Sequence, residues 1–449
     1  MIASRSRLDW TLDEVASALG GVVVGDGSVR VDRVVTDSRD EAEGALFVAL
    51  AGERFDGHRF VGEVMGRGAV GAVVAAGSGI DATPRIEVAS TMQALLDLGV
   101  KRRRELDVPV VAITGSTGKT STKDMIAAGI PGAWASPRSY NNEIGVPLTV
   151  LATPSDVSVL VLEVGSRGPG HIASLAPVVA PDVSVVTNLG VAHLEMFGSR
   201  AVLADSKYEL VSMLGPSGCA VVPVDEPRLD RGGDHRRITF GPEGATVEII
   251  RTELDSLGYP TVTLSAEGAE HRVALAMAGE HNARNAAAAA GVAMALGLDM
   301  PAFLEGVARA QGSNWRMDVH RGRYTVVNDA YNANPQSVEA ALRAAAAMAG
   351  DRHIAVLGPM AELGSACEES HRDMGALARD LGYGAVVVVG PDHGYVLGAG
   401  DLVANATGLG DAADTLRAVV RPGDVVLVKA SRASGLERLA LDLAQDASP

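Results

Sequence analysis

Residues 108–123 read Val-Pro-Val-Val-Ala-Ile-Thr-Gly-Ser-Thr-Gly-Lys-Thr-Ser-Thr-Lys, and they decide the fold of the centre of this chain. An apolar run that breaks into a glycine turn and continues as a helix is typical of a buried strand followed by a phosphate-binding loop. Gly115 and Gly118 allow backbone N–H groups to turn toward an anion, and Lys119 supplies positive charge. The hydroxyl of Thr120 can bind Mg²⁺. The stretch therefore predicts a nucleoside triphosphate site at the end of a strand.

The glycine spacing, G-x-x-G-K-T, differs from that of the common P-loop motif. That motif has another glycine five residues before Gly118, where this chain has Ile113. A chance turn rich in Gly, Ser and Thr is the alternative. The apolar run before the loop and the helical segment after it favour the phosphate site.

Lysine usage supports the same prediction. The chain has 39 Lys and Arg residues, of which only five are lysine, so arginine is its default cation. Lysine is a compact, strongly hydrated charge, whereas arginine is a planar fork. The few lysines are Lys101, Lys119, Lys123, Lys207 and Lys429. Lys119 and Lys123 lie in the glycine loop and its helix, and Lys207 and Lys429 become candidates for special use by the same logic.

Length and composition limit the class of protein. A chain of 449 residues with 47% hydrophobic residues predicts about three packed domains. Its net charge of −16 argues against a general nucleic-acid binder. The absence of an apolar leader or of an apolar stretch long enough to span a bilayer predicts a cytoplasmic protein without membrane insertion. The two cysteines, Cys219 and Cys367, form no metal-binding spacing.

The first hundred residues combine short strands with turns. Thr11 and Glu14 fit a capping box for a helix that ends near Leu19. The one dense basic cluster, Lys101–Arg104, falls on another predicted helix, and we expect it to form a solvated face.

Three apolar runs in the middle of the chain, 108–113, 159–162 and 183–186, each end in polar residues. Ligands of open α/β sheets bind beyond the carboxyl ends of parallel strands. Glu163 follows the second run and His193 lies shortly after the third. We expect both to converge on the crevice of Lys119 and to hold Mg²⁺, although a lone histidine is more often a surface or core residue.

From Asn314 onward, apolar strands alternate with alanine-rich helices, as in a Rossmann-like domain. No G-x-G-x-x-G follows the first of these strands, so NAD or FAD is not indicated. That strand ends in the polar segment 328–335. This segment predicts either a ligand contact or simple turn chemistry.

Motifs along nearly the whole chain together resemble the Mur ligase family of ATP-dependent, amide-forming enzymes of peptidoglycan precursor synthesis. The resemblance rests on their order and spacing: Thr36-Asp-Ser-Arg39, Phe55-Asp-Gly-His58, the glycine loop, Asn141-Asn-Glu-Ile-Gly-Val-Pro147, Glu163-Val-Gly165, Thr187-Asn188 with Ala192-His-Leu-Glu195, Gly279-Glu-His-Asn-Ala-Arg-Asn285, Asp329-Ala-Tyr-Asn-Ala-Asn-Pro335 and Lys429-Ala-Ser-Arg432. Two departures, Pro359 in place of the usual acidic residue and Ala430 in place of glycine, affect loops of the last domain.

The resemblance implies an α/β protein with the three-domain architecture of that family. Residues 1–105 would bind the UDP end of the substrate, 106–313 would form a central P-loop-type parallel-sheet domain that binds ATP, and 314–449 would form a Rossmann-like domain. The implied reaction uses ATP and Mg²⁺ to join D-alanyl-D-alanine to UDP-N-acetylmuramoyl-tripeptide through an acyl phosphate. Nothing in the sequence demands more than a monomer.

The resemblance also implies roles for individual residues. The UDP end of the substrate would contact Thr36, Asp37, Ser38 and Arg39. The nucleotide would contact Gly115, Ser116, Thr117, Gly118, Lys119, Thr120, Ser121, Asn285, Arg316 and Asp329. The remaining substrate contacts would come from Asn141, Asn142, Tyr331, Asn332 and Asn334. The metal would be held by Thr120, Glu163, His193 and Lys207, the last being the family lysine that can be carbamylated. The catalytic set would be Lys119, Glu163, His193, Lys207, Arg316 and Asp329.

Two other functions remain open from the sequence. One is a protein that uses ATP to change shape without ligating anything, which explains the glycine loop but not the other motifs. The other is a related ligase with a different acceptor. A MurE-like ligase would share the N-terminal domain but carry an Asn-Pro-Arg motif that this chain lacks, and a folylpolyglutamate-like ligase would lack the domain of the Thr36–Arg39 motif. The third residue of the tripeptide, diaminopimelate or lysine, also stays open.

Overall fold

The computed structural model describes residues 8–52, 55–137, 139–190, 197, 199–361, 363–391 and 393–447. Three sheets of five or more strands organise these residues, and they span residues 22–88, 110–274 and 318–429. Each sheet lies inside one of the three predicted domain ranges, and the predicted boundaries themselves stay a prediction. Within the described ranges, every helix is too short or too polar to cross a bilayer.

The N-terminal sheet has five strands in the order β2-β9-β8-β5-β4, parallel except for β2. The predicted helix near the N-terminus is confirmed, because Thr11 caps α1 and exchanges hydrogen bonds with Glu14 in a capping box. The elements are β1 (Trp10–Thr11), α1 (Leu12–Leu19), β2 (Val22–Val24), β3 (Arg30–Val31), β4 (Arg33–Val35), β5 (Ala45–Val48), β6 (Ala51–Gly52), β7 (Phe55–Asp56), α2 (Val61–Gly66), β8 (Gly71–Ala75), β9 (Arg85–Val88) and α3 (Thr91–Glu105).

The central sheet has nine strands in the order β11-β12-β10-β13-β14-β15-β16-β17-β18. Its elements are β10 (Val110–Thr114), α4 (Lys119–Gly129), β11 (Trp134–Ala135), α5 (Gly145–Leu151), β12 (Leu160–Glu163), α6 (His171–Ser174), α7 (Ala176–Val179), β13 (Val183–Val186), α8 (Arg200–Val211), β14 (Cys219–Pro223), β15 (Arg236–Gly241), β16 (Val247–Leu254), β17 (Pro260–Ala266), β18 (Ala269–Ala274), α9 (Asn282–Leu296) and α10 (Met300–Ala308). The three predicted strands are the adjacent parallel strands β12, β10 and β13, so their carboxyl ends meet at one edge.

Helix α9 covers one face of the central sheet at short range. Its alanines 286–290 are fully buried, and a side chain at Gly291 would come within 2.7 Å of Val221 on β14. Small side chains allow the helix backbone to approach the sheet closely. This packing fixes the start of α9 behind the glycine loop.

The C-terminal sheet has six strands in the order β19-β20-β24-β21-β22-β23, parallel except for β19. This confirms the Rossmann-like pattern. Its elements are β19 (Asp318–Arg321), β20 (Thr325–Asn328), α11 (Pro335–Ala346), β21 (Arg352–Leu357), α12 (Cys367–Asp380), β22 (Ala385–Val389), α13 (Tyr395–Ala399), β23 (Val403–Ala406), α14 (Leu409–Val419), β24 (Asp424–Lys429) and α15 (Leu436–Ala447).

The basic cluster on α3 is only partly a solvated face, because Arg104 is exposed but Arg102 is buried, and for Arg102 the expectation is wrong. Arg102 is 5% exposed, and its Nη2 donates to the carbonyl of Thr153 at 2.7 Å. Arg103 donates to the carbonyl of Ala180 at 3.1 Å. These arginines satisfy carbonyl groups at the ends of central-domain elements, and they thereby fasten α3 to that domain.

Candidate active site

A cavity of about 590 Å³ separates the edge of the central sheet from the C-terminal domain. The glycine loop, the ends of β12 and β13 and the start of α9 line it from one side. The loop after β20 and the end of β24 line it from the other. A ligand in this cavity would therefore contact both domains.

No residue with a Cβ atom fits at either glycine position of the loop. Gly115 has φ +144°, and a Cβ there would lie 1.9 Å from the Thr187 hydroxyl. Gly118 has φ +78°, and a Cβ there would lie 2.4 Å from Oδ1 of Asn285. Both the backbone conformation and the close neighbours therefore require glycine.

Asn188 holds the tip of this loop. Its Oδ1 accepts hydrogen bonds from the backbone N–H groups of Ser116 at 3.1 Å and Thr117 at 3.0 Å. These two amides are thus engaged with protein. The N–H groups suited to an anion are the first ones of α4, which have no partner inside the helix and lie at the positive end of its dipole.

Lys119 is the first residue of α4, and its Nζ donates to the carbonyl of Gly115 at 2.7 Å. Burial lowers the pKa of Lys119, the charge of Glu163 opposes that shift, and Arg316 adds to it. A phosphate group would supply the negative charge that a buried ammonium needs.

Glu163 lies at the end of β12 and is 1% exposed. Its Oε2 accepts from the Thr120 hydroxyl at 2.8 Å, and its Oε1 accepts from Nδ2 of Asn141 at 2.7 Å. A carboxylate beside a hydroxyl offers the hard oxygen donors that Mg²⁺ prefers, so these residues fit that ion. His193 lies outside the described residues, and those residues contain no group of three or more His, Cys, Asp or Glu side chains placed to hold a metal.

Lys207 lies on α8 and is 2% exposed. Burial and the nearby charge of Lys119 lower the pKa of Lys207 to about 7, although Glu209 opposes the shift. A substantial fraction of this amine is therefore neutral near pH 7, unlike that of an ordinary lysine.

Lys429 fixes the loop that faces the glycine loop. Its Nζ, at the end of β24, lies 2.7 Å from Oδ2 of Asp329 and donates to the carbonyl of Asn332 at 2.6 Å. Asp329 also accepts the backbone N–H of Met317 at 3.1 Å. Sequence reasoning selected Lys429 by its rarity, but the role of an anchor for this loop was not predicted.

Arg316 bridges the two sides of the cavity. Its guanidinium lies 4.1 Å from the centre of the Tyr331 ring, and its Nη2 donates to the Ser139 hydroxyl at 3.4 Å. Its buried Nε has no partner among the described residues. The neighbours Trp315 and Met317 have φ values of +63° and +50°, a strained backbone that such residues rarely adopt. The chain thus holds Arg316 toward the cavity at the junction between the domains.

The loop after β20 shows the turn chemistry that its sequence allowed, while the alternative, a ligand contact, stays a prediction. Asn334 caps α11 through the backbone N–H of Ser337 at 2.9 Å, which is turn chemistry. The same residue lines the cavity together with Tyr331 and Asn332. Its backbone geometry is therefore secured by its own side chain, and the loop is presented to the cavity.

The structure brings most of the predicted site residues together. Those that line the cavity are Gly115, Ser116, Thr117, Gly118, Lys119, Thr120, Ser121, Asn141, Asn142, Glu163, Lys207, Asn285, Arg316, Asp329, Tyr331, Asn332 and Asn334. Their roles stay predictions. Asn285 lies directly behind Gly118, and its Nδ2 donates to Asn282 at 2.8 Å.

The predicted UDP-binding residues Thr36, Asp37, Ser38 and Arg39 are not in the lining of this cavity. They follow β4 in the N-terminal domain, where hydrogen bonds from Arg39 lower the pKa of Asp37 to about 2. Their role therefore stays a prediction about a separate part of the molecule.

Several lining residues were not predicted from the sequence, among them Arg167, His171, His281 and Gln336. His281 lies inside a quoted motif, Gly279–Asn285, and that motif was the only signal for it. Nothing in the sequence pattern around Arg167 or Gln336 indicates a position beside the cavity. Both residues line it because of how the loop of Arg167 and the helix of Gln336 pack in three dimensions.

Comparisons with known proteins agree with this site. Residues 113–293 match the Mur ligase middle domain, and residues 315–432 match the Mur ligase, glutamate ligase domain. The chain belongs to the Mur ligase family. Two relatives bear the name UDP-N-acetylmuramoyl-tripeptide--D-alanyl-D-alanine ligase. The protein from Mycobacterium tuberculosis is 36% identical with 98% of each chain covered, and that from Escherichia coli is 33% identical with 96% and 97% covered.

Solved structures show the same relation and confirm the three-domain architecture. MurF from Acinetobacter baumannii superposes with a TM-score of 0.89 at 30% identity, covering 98% of this chain and 99% of its own. MurF ligase from Thermotoga maritima in complex with ADP has a TM-score of 0.82 at 28% identity, covering 92% of this chain and 97% of its own.

Proposed function

We propose that this chain joins D-alanyl-D-alanine to UDP-N-acetylmuramoyl-tripeptide with the consumption of ATP, in peptidoglycan precursor synthesis. The observation that carries the proposal is the pairing across one cavity of the glycine loop with the anchored segment Asp329–Asn334. The relatives that bear this activity in their names cover nearly the whole chain. Because ATP is the phosphoryl donor, we place the reaction in the cytoplasm.

The reaction needs activation, because a carboxylate does not react with an amine at neutral pH. The γ-phosphoryl group passes to the terminal carboxylate of the tripeptide and forms an acyl phosphate. The amine of the dipeptide then attacks the carbonyl carbon, the tetrahedral intermediate collapses, and phosphate leaves. Positioning and charge stabilisation do most of the work in phosphoryl transfer.

Different residues on the cavity wall bind the phosphates, hold the metal and contact the nucleotide. The first amides of α4 and the ammonium of Lys119 bind the phosphate chain of the nucleotide. Thr120 and Glu163 would hold Mg²⁺, with the predicted participation of His193, and that ion would neutralise charge on the phosphates. Arg316 and Asp329 reach the nucleotide from the C-terminal domain, and the two domains together exclude water from the acyl phosphate.

Lys207 completes the charged wall beside Lys119. A neutral amine can add CO₂ to give a carbamate with release of one proton, and the pKa of Lys207 near 7 provides that neutral amine. We propose that the carbamate stands beside Lys119 and adds a further oxygen donor for Mg²⁺. Thr36–Arg39 would hold the UDP end of the substrate in the N-terminal domain.

The test is phosphate release from ATP and Mg²⁺ with UDP-N-acetylmuramoyl-tripeptide, with and without D-alanyl-D-alanine. Release that requires both substrates, with a product heavier by the dipeptide, supports the ligase. Release that ignores the dipeptide favours a protein that uses ATP to change shape. Release that requires a different amine would assign the chain to another ligase of the family.

A further inference from the structure

Three side chains form a hydrogen-bonded cluster at the cavity, outside the set used above. Nη1 of Arg167 lies 3.1 Å from Oε1 of Glu143, and Nε2 of His171 lies 3.2 Å from Oε2 of the same carboxylate. Nδ1 of His171 accepts the backbone N–H of Arg167 at 3.1 Å, so Nε2 carries the proton and donates to Glu143. Arg167 and His171 line the cavity. We call these three residues the Arg167 cluster.

The cluster is held in place by α8. Glu209 accepts the backbone N–H groups of Gly170 at 2.6 Å and Ala173 at 2.9 Å. The hydroxyl of Ser206 lies 2.7 Å from that of Ser166 and donates to the carbonyl of Gly168 at 3.2 Å. The loop that carries Arg167 is therefore fixed at both ends, while the Arg167 side chain is 64% exposed.

The Arg167 cluster is connected to two residues of the predicted metal site, Glu163 and Lys207. The segment of Glu143 begins at Asn141, whose Nδ2 donates to Glu163 and whose carbonyl accepts the N–H of Gly165 at 2.7 Å. On the other side, Ser206 directly precedes Lys207 in α8. The Arg167 cluster thus lies beside the wall that would face the activated carboxylate.

The cluster presents a fixed pair of opposite charges. Burial alone would raise the pKa of Glu143, but its own backbone N–H, Arg167 and His171 together hold that pKa below its usual value. Among the described residues, only Nη1 of the Arg167 guanidinium has a protein partner, so most of its donors are available. A guanidinium fork binds carboxylates in a planar, two-point geometry.

In the third residue of the tripeptide, the reacting carboxylate and the side chain are attached to the same carbon atom. An extended side chain of that residue ends about 6 Å from this carbon atom, so its end group lies apart from the reacting carboxylate. Its end group is a zwitterion of ammonium and carboxylate in a diaminopimelate residue, and an ammonium alone in a lysine residue.

We propose that the Arg167 cluster binds the far end of the third residue and selects tripeptides in which that end is an amino-acid zwitterion, as in 2,6-diaminopimelate. This inference rests on the proposed function. Arg167 binds the distal carboxylate, and Glu143 accepts from the distal ammonium. A lysine-type residue would place its ammonium against Arg167 without a carboxylate to compensate.

The experiment compares two substrates, UDP-N-acetylmuramoylalanyl-D-glutamyl peptides that end in either diaminopimelate or lysine. The ratio of their kcat/KM values is measured by phosphate release in the wild type, in Arg167→Met and in Arg167→Lys. The wild type should prefer diaminopimelate. Arg167→Met should reduce that ratio by about tenfold to hundredfold, since it removes a charge-assisted contact. Arg167→Lys keeps the charge but not the fork and should fall in between.

Arg417→Met is the matched control, because Arg417 forms an exposed ion pair with Asp414 on α14. It should leave the ratio unchanged. An equal loss with both substrates in Arg167→Met would overturn the inference and place Arg167 on a part common to both peptides. An unchanged ratio would overturn it as well. If neither substrate supports release in the wild type, the proposed function itself fails.

Discussion

Replacing Lys207 with methionine should stabilise the protein near neutral pH while abolishing its activity. The side chain is 2% exposed, and its pKa is lowered from 10.5 to about 7, mainly by burial. A lowered pKa in the folded state means that the unfolded chain binds more protons between about pH 7 and pH 10.5. The cost of the buried ammonium is therefore fully present below pH 7 and disappears as the pH rises toward 10.5. That pKa difference corresponds to on the order of 5 kcal/mol.

The assay is thermal unfolding of the wild type and Lys207→Met in CO₂-free buffers from about pH 6 to about pH 10. The variant should melt at a higher temperature below pH 7, and its advantage should shrink steadily as the pH rises. Lys101→Met is the control, because Lys101 pairs with Glu105 on α3 and is not in the site. An equal or lower melting temperature for Lys207→Met across the whole range would refute the reasoning.

Three further substitutions test other parts of the site and its support. Lys119→Ala should abolish phosphate release while leaving the melting temperature close to that of the wild type; normal activity would contradict the phosphate site. Lys429→Met should raise KM for the dipeptide at least tenfold. It should also lower the free energy of unfolding by about 3 kcal/mol, because it leaves the Asp329 carboxylate buried without its ion pair. An unchanged KM would count against the anchored loop. His371→Leu should lower the free energy of unfolding, measured by urea denaturation, by about 1 to 3 kcal/mol, since Nε2 of the fully buried His371 accepts the backbone N–H of Met360 at 3.0 Å. An unchanged urea midpoint would show that this N–H finds another partner.

The edge of the central sheet could be predicted because it depends on local patterns. Apolar runs predicted β10, β12 and β13, and the rule that parallel strands present their carboxyl ends to one crevice placed Glu163 beside Lys119. The structure shows that convergence through the hydrogen bond of Glu163 to Thr120. Periodicity and turn chemistry are sufficient for such a prediction, because each strand end carries its own signal.

Contacts between distant segments could not be predicted in the same way. Asn188 is engaged with the amides of the glycine loop, and Lys429 pairs with Asp329 one hundred residues earlier in the chain. Arg102 was expected in solvent because charged residues are usually exposed. In the structure, the packing of α3 against the central domain brings its guanidinium to the carbonyl of Thr153 instead. Strands β14 to β18 were missed as well; β16, for example, is mostly half-buried or exposed and has no strong apolar run.

The most direct test of the account follows the oxygen atoms of the tripeptide. A substrate labelled with ¹⁸O in both oxygens of its terminal carboxylate is ligated to D-alanyl-D-alanine, and the released phosphate and the product are analysed by mass spectrometry. Activation as an acyl phosphate predicts one ¹⁸O in the phosphate and one in the new amide carbonyl. Phosphate without ¹⁸O, released while the labelled carboxylate stays intact, would contradict ligation through this site.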